Sequence, residues 1–393
     1  MSKLIFQALD NKRECYAIYC DGELYHYPNG IELTETWEWT SHAPQDVDCA
    51  QIWTGGKTLQ QACPEHILPR LERVQSEGKA FLNAFVNSKV NLQDVCFYDL
   101  VPKRFLLDYC AVKNEISKHV FESHSKPKNY KFLVNLHEFV DSIAQKELKL
   151  ADSPQEAFNA IDMKRFLQLK QNKRVLYNPF GSRTGRLTTR KESFPVLTLP
   201  KNFRHLVLPS NDLFVELDYN SAELRTALSL ASKDQPSIDI HNFLKQEIYD
   251  DKFSRDEVKQ KVFAWLYNPK AKNKKLSEYF DKQSILKQYY NYDTISTPFD
   301  REIEVSEDKA LNYLIQSTTS DMFLTQAIKI HNILKSSSSH VAFCVHDSLV
   351  LDMERSDKAL LKEIVSVFED TPLGAFKVNV SIGNNFGNMR KIL

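Results

Sequence analysis

The chain has 393 residues, of which 42% are hydrophobic and 26% are charged, and its formal net charge is zero. No apolar run approaches the roughly 20 residues that span a bilayer, and charge interrupts the first apolar stretch too early for a signal peptide. We therefore expect a cytoplasmic protein of two or three domains that has no membrane partner. The seven cysteines form no CxxC pair, which argues against a disulfide framework and against a zinc site.

The predicted elements change character along the chain. Near the N-terminus, Lys3–Leu9 and Glu14–Cys20 have strand composition, and apolar residues recur at helical spacing over 67–86 and from Lys103 to Lys173. Beyond residue 179, strands and helices alternate. The later elements are a strand at Leu213–Leu217, helices near 220–232, 239–249 and 255–267, a helix plus hairpin at 270–300, a long helix at about 306–335, and a strand–turn–strand over 341–353.

Charge is distributed unevenly along the chain. Residues 1–100 carry 8 Lys and Arg against 14 Asp and Glu, whereas residues 101–190 carry 17 against 9. A basic block inside a neutral protein is the pattern expected where phosphates are bound. A solvated basic helix face would give the same excess, and charge alone does not separate the two explanations.

Two aspartates stand at the ends of apolar strands. The segment before Asp218 is apolar, and so is the segment before His346 and Asp347. A carboxylate at the end of a buried strand is costly unless a partner neutralises it, and a divalent metal is a common partner. Two such ends side by side would hold two Mg²⁺ ions for a phosphoryl displacement. Each aspartate alone also fits an ordinary turn.

A predicted helix between these aspartates carries basic and aromatic residues four positions apart. Arg255, Lys259, Phe263 and Tyr267 share one face because residues at this spacing lie above one another on a helix. Two cations suit a triphosphate, and the aromatic rings suit a base and a sugar. An amphipathic core helix with snorkelling Lys and Arg is the alternative, although other apolar residues of the segment form a second, competing surface.

These segments resemble motifs of family A DNA polymerases, the group of bacterial DNA polymerase I and many phage replicases. Asp218–Arg225, with the pattern D-Y-x3-E-L-R, is similar to the first palm motif, and the stripe from Arg255 to Tyr267 is similar to the fingers helix. Val345–Asp347 resembles the second carboxylate motif. Weaker matches complete the family's order over residues 100–393: Thr184-Gly185-Arg186-Leu187-Thr188, Asp239-Ile240-His241 and Asn312-x3-Gln316-x4-Asp321.

The resemblance implies an α/β (α+β) fold shaped as a right hand, in a compact, phage-type member of the family. A helical thumb would occupy residues 101–178, the palm 179–239 and 301–393, and the fingers 240–300. The span from the fingers helix to Asp347 is short, which suggests reduced fingers.

Residues 1–100 stand where relatives keep a 3′–5′ exonuclease domain. That activity needs an Asp-x-Glu on the first strand, whereas this strand is followed by Asp10 and Glu14 at a different spacing. We therefore expect a reduced, inactive exonuclease-like α/β domain and no proofreading.

The resemblance also implies a role for each motif residue. Asp218 and Asp347 would bind two Mg²⁺ ions, for which Mn²⁺ is expected to substitute, and Tyr219 would belong to the same metal site. Lys259 is a candidate general acid for the leaving pyrophosphate. The implied dNTP-binding residues are Arg255, Lys259, Phe263, Tyr267, Glu223, which would exclude a ribose 2′-hydroxyl, and His241. The implied DNA-binding residues are Thr184, Arg186, Gln316 and His346.

Some positions depart from the family pattern. Ser348 stands where many relatives carry a glutamate, and Asn268 and Ser317 replace glycines. The leading interpretation is still a template-directed DNA polymerase that adds dNTPs to a primer 3′ end by two-metal phosphoryl transfer, without proofreading. A catalytically inactive primer-template binding protein derived from such an enzyme is the alternative, and an RNA-synthesising relative is a third. The expected partners are DNA primer-template and dNTPs, while the sequence names no processivity or replisome partner.

Overall fold

The computed structural model describes residues 4–7, 16–25, 33–41, 46–91, 95–153, 159–268 and 272–392. The chain divides into two compact units, Met1–Glu138 and Phe139–Leu393. The predicted thumb, residues 101–178, extends across this division, so its assignment as one domain stays a prediction. Asp10 and Glu14 lie outside the described residues.

The first unit contains a mixed five-stranded sheet. Its strands are β1 (Leu4–Gln7), β2 (Tyr16–Cys20), β3 (Glu23–Tyr25), β4 (Glu35–Thr36) and β5 (Asp48–Cys49). The order is β3-β2-β1-β4-β5. β2 runs antiparallel to both of its neighbours, and β4 is parallel to β1 and to β5. Asp21 and Gly22, both with positive φ, form the two-residue turn between β2 and β3.

Helices follow the sheet and form the core of the first unit. The apolar faces of two long helices, α3 (Leu68–Asn87) and α5 (Lys103–Ser123), pack together with Trp37, because their apolar residues recur at helical spacing. Lys126, in the loop after α5, forms an ion pair with Asp48, with 2.7 Å between Nζ and Oδ1. The helices are α1 (Ala50–Trp53), α2 (Leu59–Ala62), α3 (Leu68–Asn87), α4 (Phe97–Leu100), α5 (Lys103–Ser123) and α6 (Tyr130–Ala144), the last of which crosses into the second unit.

The second unit begins with short elements that lead to the second half of the chain. These are β6 (Lys149–Leu150), α7 (Ala160–Leu169), β7 (Tyr177–Asn178), β8 (Thr188–Thr189), α8 (Lys201–Arg204) and β9 (Val207–Leu208). The longer elements that follow are β10 (Leu213–Tyr219), α9 (Ala222–Leu230), α10 (Ile240–Tyr249), α11 (Arg255–Tyr267), α12 (Lys274–Tyr279), α13 (Lys282–Tyr289), β11 (Tyr290–Asn291), β12 (Thr294–Ser296), β13 (Glu302–Glu304) and α14 (Glu307–Leu334). The last elements are β14 (His340–Val345), β15 (Ser348–Met353), α15 (Leu360–Glu369), β16 (Asp370–Thr371), β17 (Gly374–Ala375), β18 (Val378–Gly383) and β19 (Arg390–Lys391).

A five-stranded sheet, called the central sheet below, has the order β14-β15-β10-β18-β19 and is antiparallel throughout. Side chains alternate along β10, so Val215, Leu217 and Tyr219 are buried while Glu216 and Asp218 are only partly covered. In the sheet register, Asp218 stands opposite Ser348 on β15 and opposite Asn379 on β18.

Helices α9 to α14 share a second apolar core. α11 begins at Arg255 because Ser254 and Glu257 form a capping box, and its bounds are those that the stripe predicted. The long predicted helix is α14. The predicted helix plus hairpin consists of two short helices, α12 and α13, followed by the pair β11–β12. None of the helices in the described part of the chain combines the length and the hydrophobicity that a membrane span requires.

A buried ion pair joins α14 to the segment before it. Asp321 on α14 accepts two hydrogen bonds from Arg301, at 2.8 Å from Nε and 2.7 Å from Nη2. The Asp321 side chain is fully buried and that of Arg301 is 13% exposed. Gly185 lies against the same guanidinium at φ +75°, and a Cβ there would come within 2.6 Å of Arg301 Nη2. Any side chain at Gly185, in the Thr184–Thr188 motif, would therefore clash with Arg301, and the positive φ also favours glycine.

Asp321→Asn should lower the free energy of unfolding by about 3 kcal/mol, because the amide leaves the Arg301 guanidinium buried without a counter-charge. Chemical denaturation at pH 7 measures this difference. Asp308→Asn, exposed on the same helix, is the matched control and should change stability by less than about 1 kcal/mol. A loss as small as that of the control would show that the ion pair does not matter to the fold.

Candidate nucleotide site

The structure brings Asp218 and Asp347 together at one end of the central sheet. Asp218 lies near the end of β10, and Asp347 lies in the turn between β14 and β15, next to the residue that pairs with Asp218. Burial first, and the nearby charge of Asp347 second, raise the pKa of Asp218 to about 6. The two carboxylates are therefore close enough to repel each other, which would not follow if each stood in an isolated turn.

Other strands of the sheet place polar groups around Asp218. Asn379 Nδ2 donates to Asp218 Oδ2 at 3.4 Å, and Lys391 Nζ donates to Asn379 Oδ1 at 2.7 Å. The lysine therefore orients the amide so that its donor faces the carboxylate. On the other side, Ser348 Oγ donates to Glu216 Oε1 at 2.7 Å. Sequence reasoning did not identify Glu216, Asn379 or Lys391, although the two-residue period of β10 places Glu216 on the same face as Asp218.

An open cavity of about 220 Å³, called the α9–α11 cavity below, lies beside Asp347. Phe263 and Tyr267 stack in its wall with their ring centroids 5.6 Å apart and an angle of 18° between the rings. Each is 42% exposed, which is high for a large aromatic residue. The lining residues are Arg186, Ser221, Ala222, Glu223, Leu224, Val262, Phe263, Leu266, Tyr267 and Asp347.

Glu223 forms an ion pair with Arg186 at the cavity wall. Burial raises the pKa of the Glu223 carboxyl, and the positive charge of Arg186 partly opposes this effect. Gln316 also donates a hydrogen bond to Glu223 and accepts one from Thr184 Oγ1 at 2.9 Å. Three of the four predicted DNA-binding residues therefore form one network with Glu223.

Arg255 and Lys259 are exposed on α11 outside the residues that line the cavity. The Arg255 guanidinium donates to both oxygens of Asp239, at 3.0 and 2.8 Å. Asp239 also caps α10 by accepting from the backbone N–H groups of His241 and Asn242. Arg255, which the sequence predicts to bind the triphosphate, is thus paired with the Asp239 carboxylate in this structure.

The side chains of His241 and Tyr219 are both buried. His241 is 1% exposed, and its Nε2 lies 3.1 Å from Ser221 Oγ. The Tyr219 hydroxyl donates to the backbone carbonyl of Phe368 at 2.6 Å, and its ring stacks on Phe368. A metal role for Tyr219 would therefore have to come from its backbone carbonyl. His346 is exposed in the β14–β15 turn with φ +56°.

Arg225, the last residue of the D-Y-x3-E-L-R motif, positions a loop. Its guanidinium is fully buried and donates to the backbone carbonyls of Asn220, Pro236 and Ile238 at 2.9, 2.8 and 3.0 Å. Burial lowers its pKa to about 10. These bonds fix the segment between α9 and α10 that leads into Asp239.

The donor chemistry at the sheet fits a hard divalent cation. Within the described ranges, no group of three or more His, Cys, Asp or Glu side chains is close enough together to hold a metal ion. Mg²⁺ is commonly held by only one or two carboxylates together with phosphate oxygens of the substrate. Asp218 and Asp347 supply two such carboxylates, and a cation between them would relieve their repulsion.

No family model matches the chain, and no curated protein matches it by sequence. Among solved structures, the POL domain of Pol1 from M. smegmatis, in complex with DNA primer-template and dNTP, is similar to it. The TM-score is 0.51 at 14% sequence identity, over 72% of this chain and 76% of that chain. This chain thus shares the fold of a DNA polymerase I polymerase domain, as the family A motifs predicted. Its phage-type character stays a prediction.

The Asp218 carboxyl makes stability depend on pH in metal-free solution. Its pKa is about 6 in the folded protein, above the value of about 4 expected in the unfolded chain. Stability that is present at pH 4 is therefore lost as the pH rises through 6, by at most about 3 kcal/mol.

Asp347→Asn should raise the free energy of unfolding at pH 7 by about 1 kcal/mol. The substitution removes the negative charge that, after burial, contributes most to the raised pKa of Asp218. At pH 4 the variant should match the wild type, since Asp218 is then protonated. Urea denaturation in EDTA at both pH values measures the effect, with the exposed Asp234→Asn as control. Two results would show that the two carboxylates do not repel each other. One is a variant that is less stable than the wild type at pH 7, and the other is a stability difference at pH 4 as large as that at pH 7.

Proposed function

We propose that the chain is a template-directed DNA polymerase that adds dNTPs to a primer 3′ end. The observation that carries this proposal is one cavity that is lined by Asp347, one carboxylate of the strand-end pair, and by stacked aromatic rings. The shared fold supports it, because the similar polymerase domain was solved with primer-template and dNTP.

Asp218 and Asp347 would hold the divalent cations. Mg²⁺, or Mn²⁺ in its place, would stabilise the negative charge on the attacking and leaving oxygens of the phosphoryl displacement. The chain's own contribution is to hold both carboxylates at the end of a rigid sheet, with Asn379 and Lys391 fixing the orientation of Asp218. A site on strands positions its ligands more closely than a site on loops.

The cavity walls are suited to a deoxynucleotide. The exposed faces of Phe263 and Tyr267 offer a stacking surface that accepts any base. Glu223 is fixed at the wall by Arg186, where it would crowd a ribose 2′-hydroxyl and favour dNTPs over NTPs. The resemblance that predicts these roles is thus consistent with the way the side chains are held.

The two cations of α11 would bind the triphosphate. Lys259 is exposed and makes a cation–π contact with the ring of Phe263, with Nζ 5.8 Å from the centroid. It would bind the triphosphate and act as general acid for pyrophosphate. Asp239 holds the Arg255 side chain in one orientation, and a guanidinium has enough donors to bind a phosphate as well.

Residues 1–100 would form an exonuclease-like domain without proofreading activity. Its mixed sheet, with β2 as the antiparallel strand, suits an α/β domain of that kind. The strand β1 consists of Leu4–Gln7 and carries no acidic residue, whereas a 3′–5′ exonuclease needs metal-binding carboxylates on its first strand. The names thumb, palm and fingers for the ranges given above belong to the same proposal.

Primer extension tests the proposal directly. With Mg²⁺, a labelled primer-template and dNTPs, the wild type should extend the primer. Asp347→Asn should reduce the rate at least 1,000-fold, because one of the two cation-binding carboxylates is lost. Extension with NTPs should be much weaker than with dNTPs.

The exposed Asp234→Asn, which makes the same chemical change outside the site, should leave the extension rate unchanged. Wild type that binds primer-template but never extends it would favour the alternative, a catalytically inactive binding protein. Extension that persists in Asp347→Asn would remove the assignment of the metal site.

A further inference from the structure

Glu216 is an acidic residue of the central sheet to which the motifs assign no role. It precedes Asp218 by two positions on β10, so the two-residue period of a strand places both side chains on one face of the sheet. Leu217, between them, is buried on the opposite face, whereas Glu216 and Asp218 are only partly covered. The Glu216 carboxylate therefore lies on the same open face as the Asp218 carboxylate.

Ser348 links Glu216 to the strand next to the second aspartate. Its Oγ donates to Glu216 Oε1 at 2.7 Å. In the sheet register Ser348 stands directly opposite Asp218, and in the chain it follows Asp347. A serine hydroxyl has one proton to donate, and here that proton is given to Glu216. The contact thus holds the Glu216 side chain beside the turn that carries Asp347.

The charge of Glu216 has no cationic partner. Within the described ranges, no Lys, Arg or His side chain forms an ion pair with it. Lys391, two strands away in the register, donates its ammonium to Asn379. After burial and the charge of Asp347, the charge of Glu216 contributes to raising the pKa of the Asp218 carboxyl to about 6. A partly buried carboxylate near two others is unfavourable unless positive charge is supplied.

Three neighbouring carboxylates attract a divalent cation more strongly than two. The affinity of a cation site depends on the negative charge around it, and residues that do not ligate the ion contribute to that affinity. Within the described ranges, no three His, Cys, Asp or Glu side chains are close enough together to hold one ion. Glu216 is therefore assigned no direct contact with the ion that Asp218 and Asp347 would bind.

We propose that Glu216 is a supporting carboxylate of the cation site, which strengthens Mg²⁺ binding at Asp218 and Asp347 by its negative charge while Ser348 holds it in place. This inference rests on the proposed function and deepens it. The structural alternative is that Glu216 only joins β10 to β15 through Ser348. Glutamine separates the two explanations, because it keeps the size of the side chain and an acceptor for Ser348 but removes the charge.

Mn²⁺ binding without chemistry tests this assignment. The electron paramagnetic resonance signal of free Mn²⁺ measures its dissociation constant for the full chain, with no nucleic acid present. Glu216→Gln should raise that constant about tenfold, the loss typical of a residue that supports metal ligands. Glu304→Gln, the same chemical change at an exposed position of β13, is the matched control and should leave the constant unchanged.

The metal dependence of primer extension gives a second readout. Glu216→Gln should need several-fold more Mg²⁺ for half-maximal extension. Its rate at saturating Mg²⁺ should lie within about threefold of the wild type, because Asp218 and Asp347 are intact. A merely structural role would lower the rate at every Mg²⁺ concentration. In EDTA the variant should be at least as stable to heat as the wild type, since one of three repelling charges is removed.

A relocated charge separates the effect of the carboxylate from that of the side chain at position 216. When Glu216→Gln is combined with Ser348→Glu, the carboxylate returns on the neighbouring strand, at the residue that contacts Glu216 in the wild type. Many family A polymerases carry a glutamate at this position, so we expect the fold to accommodate it. The double variant should bind Mn²⁺ within about threefold of the wild type.

Mn²⁺ affinity of Glu216→Gln within about twofold of the wild type would overturn the assignment, and this variant decides alone if the double variant does not fold. A loss that the relocated carboxylate does not reverse would show that charge is not the cause, and would overturn the assignment as well. A failure of the proposed function looks different. In that case the wild type does not extend a primer, or Asp347→Asn binds Mn²⁺ as tightly as the wild type.

Discussion

The approach of Asp218 and Asp347 at the end of the central sheet is the interaction on which the rest of the site depends. Antiparallel pairing of β10 with β15 fixes it, because Asp218 pairs with the residue that follows Asp347. Burial and mutual repulsion make the pair unfavourable while both carboxylates are charged. Asn379 and Lys391 offset part of this cost, and a divalent cation would offset the remainder. We therefore propose that such an ion completes the site.

Around this pair, the chain holds its cations and its aromatic surface by contacts that restrict their motion. Arg186 is fixed by Glu223, Arg255 by Asp239, and Phe263 by stacking on Tyr267. Arg225 fixes the loop before Asp239. The cavity is therefore preorganised, and a nucleotide would lose less free energy to ordering side chains when it binds.

Local patterns predicted much of this arrangement. The four-residue stripe of α11 gave its limits. The apolar runs before Asp218 and Asp347 gave β10 and the β14–β15 hairpin, because each of these signals lies within one element. The pairing of Arg255 with Asp239 and the burial of His241 depend on packing between elements, which a linear pattern does not contain. The backbone of Ser221, which is left-handed at φ +55° just before α9, has the same origin, since sequence alone favours a serine there as an ordinary helix cap. Strand order, which brings Asn379 and Lys391 to Asp218, is likewise a tertiary property.

Anomalous X-ray scattering from Mn²⁺ tests the central claim most directly. In crystals grown with Mn²⁺, primer-template and a non-hydrolysable dNTP analogue, we expect an anomalous peak within about 2.5 Å of carboxylate oxygens of both Asp218 and Asp347. A complex that binds the nucleotide but shows no Mn²⁺ between these two carboxylates would contradict the account.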